Sequence, residues 1–183
     1  MRAEVAGRSG WAVDAGLEVL GDGVARTAEL TAGRQRAASF YADPVAWLVV
    51  DAVEAALESA AAADPAEPVR SGGADVGVLA VSEHGTLHTM SGLAPGAARG
   101  RVSPLRFAGA NPGSIAGLPC IVFGFRGPSL MLTMPPAAGR DVLGPIARSW
   151  LAGGCRWAVV AEHLVEPAGR HVARAAVVRR PRD

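Results

Sequence analysis

Lysine is absent from this 183-residue chain: all 18 basic residues are arginine. That excludes a Schiff-base lysine, a phosphate-loop lysine and a Ser–Lys dyad. An excess of either charge is also lacking. Against 17 acidic residues the net charge is +1, without the basic surplus typical of nucleic-acid binders. Cysteine is scarce, with only Cys120 and Cys155 far apart in sequence. One pair cannot form a disulfide framework, and no Cys-x-x-Cys spacing suggests zinc, so reduced thiols and no metal are expected. Charged residues make up 19% and apolar residues 50%, the opposite of a disordered balance. No run of eighteen uncharged apolar residues occurs, so no membrane span is expected. The first twenty residues lack a continuous apolar core with a small-residue cleavage site. A soluble, cytoplasmic protein of one domain, residues 1–183, is expected.

The elements follow from pattern. A short strand is expected at Arg2 to Ala6, and a weakly patterned Gly-rich lead-in runs to about residue 40. Asp43-Pro44 opens a helix, with an N-cap carboxylate and a proline at the first helical position. Trp47, Val50, Val53 and Leu57 form its apolar face, and Asp51, Glu54 and Glu58 a separate acidic stripe. Asp64 to Gly73 reads as an exposed connection, and Ala74 to Ser82 as a buried strand. Glu83 to Gly109 reads as loop, followed by a short helix from Asn111 to Gly117. Strands are expected at Cys120 to Phe123 and Ser129 to Thr133, around the turn Gly124 to Pro128. A second long helix spans Ala137 to Ala152, with Pro145 expected to kink it or shorten its first turns. Strands at Trp157 to Ala161 and Val172 to Val178 follow without a helix between them, so they should be antiparallel. The tail at 179–183 is expected to fray. The sum is an α/β domain with a mixed five-stranded sheet and helices packed on it.

Between about residues 40 and 165 the chain resembles the N-terminal half of the β-ketoacyl synthases, of the thiolase-like superfamily. Phe123-Gly124-Phe125-Arg126-Gly127-Pro128 is similar to the family's R-F-G-x-R-G-P turn, followed as in the family by a strand and a helix. The resemblance implies half of a thiolase-like fold. It also implies that the family's nucleophilic cysteine falls at Pro136 when Gly139 is aligned with the Gly of the family's elbow. Proline carries no nucleophile, and Cys120 and Cys155 flank strands rather than that helix start. The family's second half, with its two catalytic histidines, is expected to be missing. The chain alone is therefore not expected to be a competent β-ketoacyl synthase.

Other site candidates come from the residues themselves. Glu83, His84 and His88 lie just after a strand, where α/β sheets place ligands, and are acid/base candidates. Glu83-His84-Gly85-Thr86 looks like the family's His-Gly-Thr motif but follows the wrong strand. Glu162-His163 closes another strand, so Glu83, His84, Glu162 and His163 are expected to converge if the two strands are neighbours. By the resemblance, Thr133, Ala137 and Gly139, around the aligned nucleophile position, are candidates for an acyl pocket or oxyanion site. Arg126 is expected to brace its turn through its side chain, and Ser114 lacks a nucleophile elbow.

By resemblance, Ser129, Leu130, Met131, Leu132 and Thr133 form the strand that pairs across a dimer axis. A homodimer, or a heterodimer with a ketosynthase, is expected. Arg99, Arg101 and Arg106 could meet an acidic acyl carrier protein. No nucleic acid, membrane or cofactor is expected. The functional expectation is a partner subunit without condensing activity, similar to a chain-length factor, in polyketide or fatty-acid-type biosynthesis. The alternative is a cofactor-independent enzyme (isomerase, cyclase, dehydratase or hydrolase) using acid/base chemistry on an acyl thioester or polyketide-like substrate.

Overall fold

A computed structural model describes residues 12, 14–30, 42–66 and 68–182. The strand expected at Arg2 to Ala6 lies outside them. Five strands form one mixed sheet: β1 (Glu18–Thr27), β2 (Val76–Ser82), β3 (Ser129–Leu132), β4 (Trp157–Val165) and β5 (His171–Arg179), in the order β1-β5-β4-β2-β3. β2 is parallel to both β3 and β4, while β5 runs antiparallel to β4 and β1. The helices among the described residues are α1 (Pro44–Ala63), α2 (Leu87–Ala97), α3 (Pro104–Gly109), α4 (Ser114–Phe123) and α5 (Pro136–Ala152), with a 3-10 turn at Val69–Asp75. None of the described helices is long and apolar enough to cross a membrane.

The alternation of side chains along β2, β4 and β5 builds two cores. Val76, Val78 and Ala80 join Val159, Ala161, Ala173, Ala175 and Val177 on one face, under α1 and α4. Leu79, Val81, Ala158, Val160, Ala176 and Val178 meet Leu143, Ala147 and Leu151 of α5 on the other. α1 starts as its sequence dictates: Asp43 Oδ1 accepts the Val45 N–H at 2.8 Å, and Pro44 needs no acceptor for a missing N–H. Leu57 on its buried face is fully sequestered, worth roughly 1.5–3 kcal/mol of transfer free energy.

Several expectations are corrected. β1 falls within the stretch read as lead-in; its two glycines, Gly21 and Gly23, lie against the α1 backbone and dilute the strand pattern. Cys120 to Phe123 is not a strand but the end of α4, because Ile115, Ala116, Leu118 and Pro119 all bury at helical spacing. The fifth strand is therefore β1. The stretch 83–109 is not all loop: α2 and α3 occupy much of it. α2 buries no residue, so no apolar periodicity marks it. α5 continues across Pro145, which removes one backbone bond without ending the helix. Arg179 is not frayed but closes β5, donating to Glu18 and Asp64. Its guanidinium holds the Glu18 carboxyl below the usual range.

The Phe123–Pro128 turn works through backbone. Arg126 N–H donates to Gly73 O, Gly127 N–H to Val76 O, and Val78 N–H to Pro128 O. A Cβ at Gly127 would lie 2.4 Å from Val76 O, so only glycine fits. The Arg126 side chain is exposed, so its backbone N–H, rather than the expected guanidinium fork, ties the turn.

Candidate functional site at the carboxyl edge of the parallel strands

Parallel strands β2 and β3 end side by side at Ser82 and Leu132, with β4 running on beside β2 to Val165, and this carboxyl edge is the place such sheets present to ligands. In-register pairing sets Val81 beside Glu162 and Ser82 beside His163. The two strands are thus neighbours, but Glu162-His163 does not close its strand, which continues to Val165. Their side chains divide between the two faces.

Glu162 points to the α5 face. Its carboxylate, only 7% exposed, accepts from Arg140 of α5 at 3.0 and 3.1 Å and from Arg174 of β5 at 3.3 Å. This ion network ties α5 to the sheet and leaves Glu162 no free lone pair for acid/base work. Breaking a buried pair strands the remaining charges. With both arginines partly exposed to water, Glu162→Gln is expected to cost about 2 kcal/mol. Urea unfolding checks this; a loss under about 0.5 kcal/mol would place the network among ordinary surface pairs.

His163 points to the α1 face and is fully buried. Its Nδ1 lies 2.8 Å from Ser82 Oγ, and its Nε2 lies 3.0 Å from Nδ1 of His171 on the neighbouring strand. The two rings are nearly parallel, at 4° with centroids 5.3 Å apart. Ser82 Oγ accepts the Gly85 N–H at 2.9 Å, leaving its own proton for His163 Nδ1. Burial, then repulsion from His171 and His84, pushes His163 down to about 4. Burial also lowers His171, with His84 and His88 adding to the effect and Asp43 opposing it. All four histidines of the chain therefore share one corner.

The other candidates fall as follows. Glu83, His84 and His88 are exposed; His84 lies in the turn after β2 and His88 in the first turn of α2. Of the four residues expected to converge, His84 and His163 share the corner, Glu83 is exposed beside His84 just after β2, and Glu162 faces the other side of the sheet. Pro136 is the first residue of α5, following Pro135 as N-cap. Thr133 and Ala137 are exposed near that helix start, and Gly139 is buried against Val81. Burial raises both cysteine thiols, with the Asp75 carboxylate adding to the effect at Cys155, the reverse of what a nucleophilic thiolate needs. Ser114 Oγ is buried without a hydrogen-bond partner among the described residues. No group of three or more His, Cys, Asp or Glu side chains among the described residues is placed to hold a metal.

A model of the β-ketoacyl synthase N-terminal domain matches residues 13–173. The chain belongs to this family. Its solved relatives show the same fold. A β-ketoacyl synthase from Burkholderia phymatum STM815 is 15% identical with a TM-score of 0.64, matched over 93% of this chain and 54% of its own. A type II polyketide synthase acyl-carrier protein in complex with its ketosynthase bound to the hexaketide (AntDE:AntF) is 15% identical with a TM-score of 0.63, over 90% and 62%. A ketosynthase (ApeO) in complex with its chain length factor (ApeC), from Xenorhabdus doucetiae, is 16% identical with a TM-score of 0.56, over 84% and 63%. The chain thus spans less than two thirds of each of these structures. No curated protein matches it at the sequence level.

Two features of this ketosynthase-like domain escaped the sequence reading. His171 carried no motif, since only the β4–β5 register brings it to His163. The other is a charge pattern. From His84 to Arg140 there is no acidic residue, while Arg99, Arg101, Arg106, Arg126 and Arg140 are all present. Counting charges in windows would have found it. Within that stretch α2 and α3 form an arm on which Leu105 and Phe107 are each 60% exposed and Leu87 55%.

Proposed function

We propose that this chain is a ketosynthase-like partner subunit without condensing chemistry, similar to a chain-length factor, serving a polyketide or fatty-acid-type pathway. The observation that carries this reading is Pro136 at the first position of α5. Aligned with the family, that helix start is where the nucleophilic thiol belongs, because unpaired N–H groups and the helix dipole favour a thiolate there. Proline supplies neither thiol nor N–H, and the two cysteines of the chain have raised pKa values elsewhere.

Two surfaces support a partner role. β3 is an edge strand of four residues, partly exposed and apolar, and such edges invite pairing. The strand Ser129 to Leu132, with Thr133 beyond it, would pair with a ketosynthase or with a second copy. The acid-free arm, with Arg99, Arg101 and Arg106 beside exposed Leu105 and Phe107, suits an acidic partner such as an acyl carrier protein.

The acid/base alternative has less support. Ser82 and His163 are fully buried, and Glu162 is committed to two arginines.

The test is a condensation assay with acyl and malonyl carrier-protein thioesters. The chain alone should give no β-ketoacyl product and no acylated cysteine by mass spectrometry. Added to a ketosynthase, it should raise product formation or change product length. Condensation by the isolated chain, or an acyl adduct on Cys120 or Cys155, would overturn the reading.

A further inference from the structure

Among the described residues, the arm is held to the body by few bonds, and they gather at the histidine corner. α2 buries no residue. At its root, Thr89 N–H donates to Asp43 Oδ2 at 2.9 Å, while Asp43 Oδ1 takes the Val45 N–H. Asp43, fully buried, thus joins the starts of α1 and α2. Thr86 Oγ1 donates to Ala110 O, closing the arm on itself. Gly85 N–H donates to Ser82 Oγ, which continues into His163 and His171.

This chain of bonds has a direction. With both imidazoles neutral, the Ser82 O–H donates to His163 Nδ1 and His163 Nε2–H donates to His171 Nδ1. One added proton on His171 Nδ1 reverses it: His163 must then donate from Nδ1 to Ser82. The Ser82 oxygen would accept twice, and its own proton would face no acceptor among the described residues in a fully buried position, which is unfavourable. A second proton sets N–H against N–H across the 3.0 Å contact. His84 and His88, on the arm side, place further charge on the same corner when protonated.

We propose that the four histidines form an acid-sensitive latch that holds the arm, residues 87–109, when neutral and releases it when protonated. Among the described residues, few groups face the latch. β2 brings Ser82 and, exposed at its end, Glu83. α1 brings Asp43, whose carboxylate favours a charged His171. β1 sets Thr27 opposite His171. In the β4–β5 hairpin, Glu166 and Arg170 pair with each other. Asp43 is already engaged by two backbone N–H groups, and a single carboxylate cannot balance several imidazolium charges. The lowered pKa values of His163 and His171 give the sign: the unfolded latch binds protons the folded one refuses, so its contribution is full above about 6.5 and falls as the pH drops towards 4. The released arm carries Leu105, Phe107 and three arginines, so acid would alter its docking surface.

Hydrogen-exchange protection factors of the isolated chain, measured from pH 7.5 to pH 5, test the latch without reference to any partner. Protection of amides 86–110 should fall at least tenfold, while amides of β4 and β5 keep theirs. In His84→Asn/His88→Asn, two exposed substitutions that should leave folding intact, the fall should shift to lower pH. In His163→Gln/His171→Gln the arm should be equally open across the range. Arm protection that stays constant to pH 5 would overturn the latch. So would loss from arm and sheet at the same pH, or an unshifted fall in His84→Asn/His88→Asn.

Discussion

Gly23→Ala is expected to lower stability by about 3 kcal/mol or more, at the upper end of overpacking effects. A Cβ on Gly23 would lie 2.3 Å from Ala52 O and 2.4 Å from Ala56 N, both backbone atoms of α1. Gly21 stands in the same relation to Ala60 N, at 2.3 Å. No flexible side chain can yield, so helix and strand must separate, and the apolar core between them opens. Domains hold only about 5–15 kcal/mol in total, so Gly21→Ala/Gly23→Ala should leave little native protein. Gly92→Ala is the matching control: nothing lies within 4 Å of its added methyl, on the exposed helix α2. It should be neutral or stabilising by about 0.5–1 kcal/mol. Urea midpoints separate the two; equal effects would mean that β1 does not press on α1.

Leu130→Asp should weaken association with a ketosynthase partner at least 100-fold, about 2.7 kcal/mol or more. Leu130 is 36% exposed on the edge strand β3, so the folded chain tolerates a carboxylate there. Pairing along β3 would cover that position, and a covered carboxylate without a partner is costly. The urea midpoint of the chain should move little while the dissociation constant rises. Unchanged affinity would place the contact away from β3. Arg99→Ser/Arg101→Ser/Arg106→Ser should leave that association intact and reduce only the capture of an acidic carrier protein, an effect that added salt should mimic.

The legible parts of this fold are those where one residue pattern answers one physical demand. Asp43-Pro44 and the face Trp47 to Leu57 demand a helix, and α1 is there. Ala74 to Ser82 reads as a buried strand, and β2 is buried at every position. The absence of a helix between β4 and β5 dictates their antiparallel pairing. The illegible parts are set by neighbours distant in sequence. The glycines of β1 make sense only once α1 lies on them. Ile121 and Val122 favour a strand locally, yet Ile115 and Leu118 packing against α1 draws the segment into α4. α2 faces no core, so no periodicity announces it. At the site, the two segments that carry Glu-His lie on and just after neighbouring strands, although β4 continues past His163 to Val165. The expected convergence did not weigh that consecutive strand residues such as Glu162 and His163 face opposite sides of the sheet. Nor could the Glu-His repetition show that His171 completes a chain with Ser82.

The central claim, a partner subunit without condensing chemistry, is met most directly by mass in solution. The chain would be mixed with the ketosynthase encoded nearest its gene and weighed by light scattering. A stable complex with one copy of each per interface is the predicted result, lost with Leu130→Asp. Separate species at micromolar concentrations, with the chain unaffected by the ketosynthase, would contradict it.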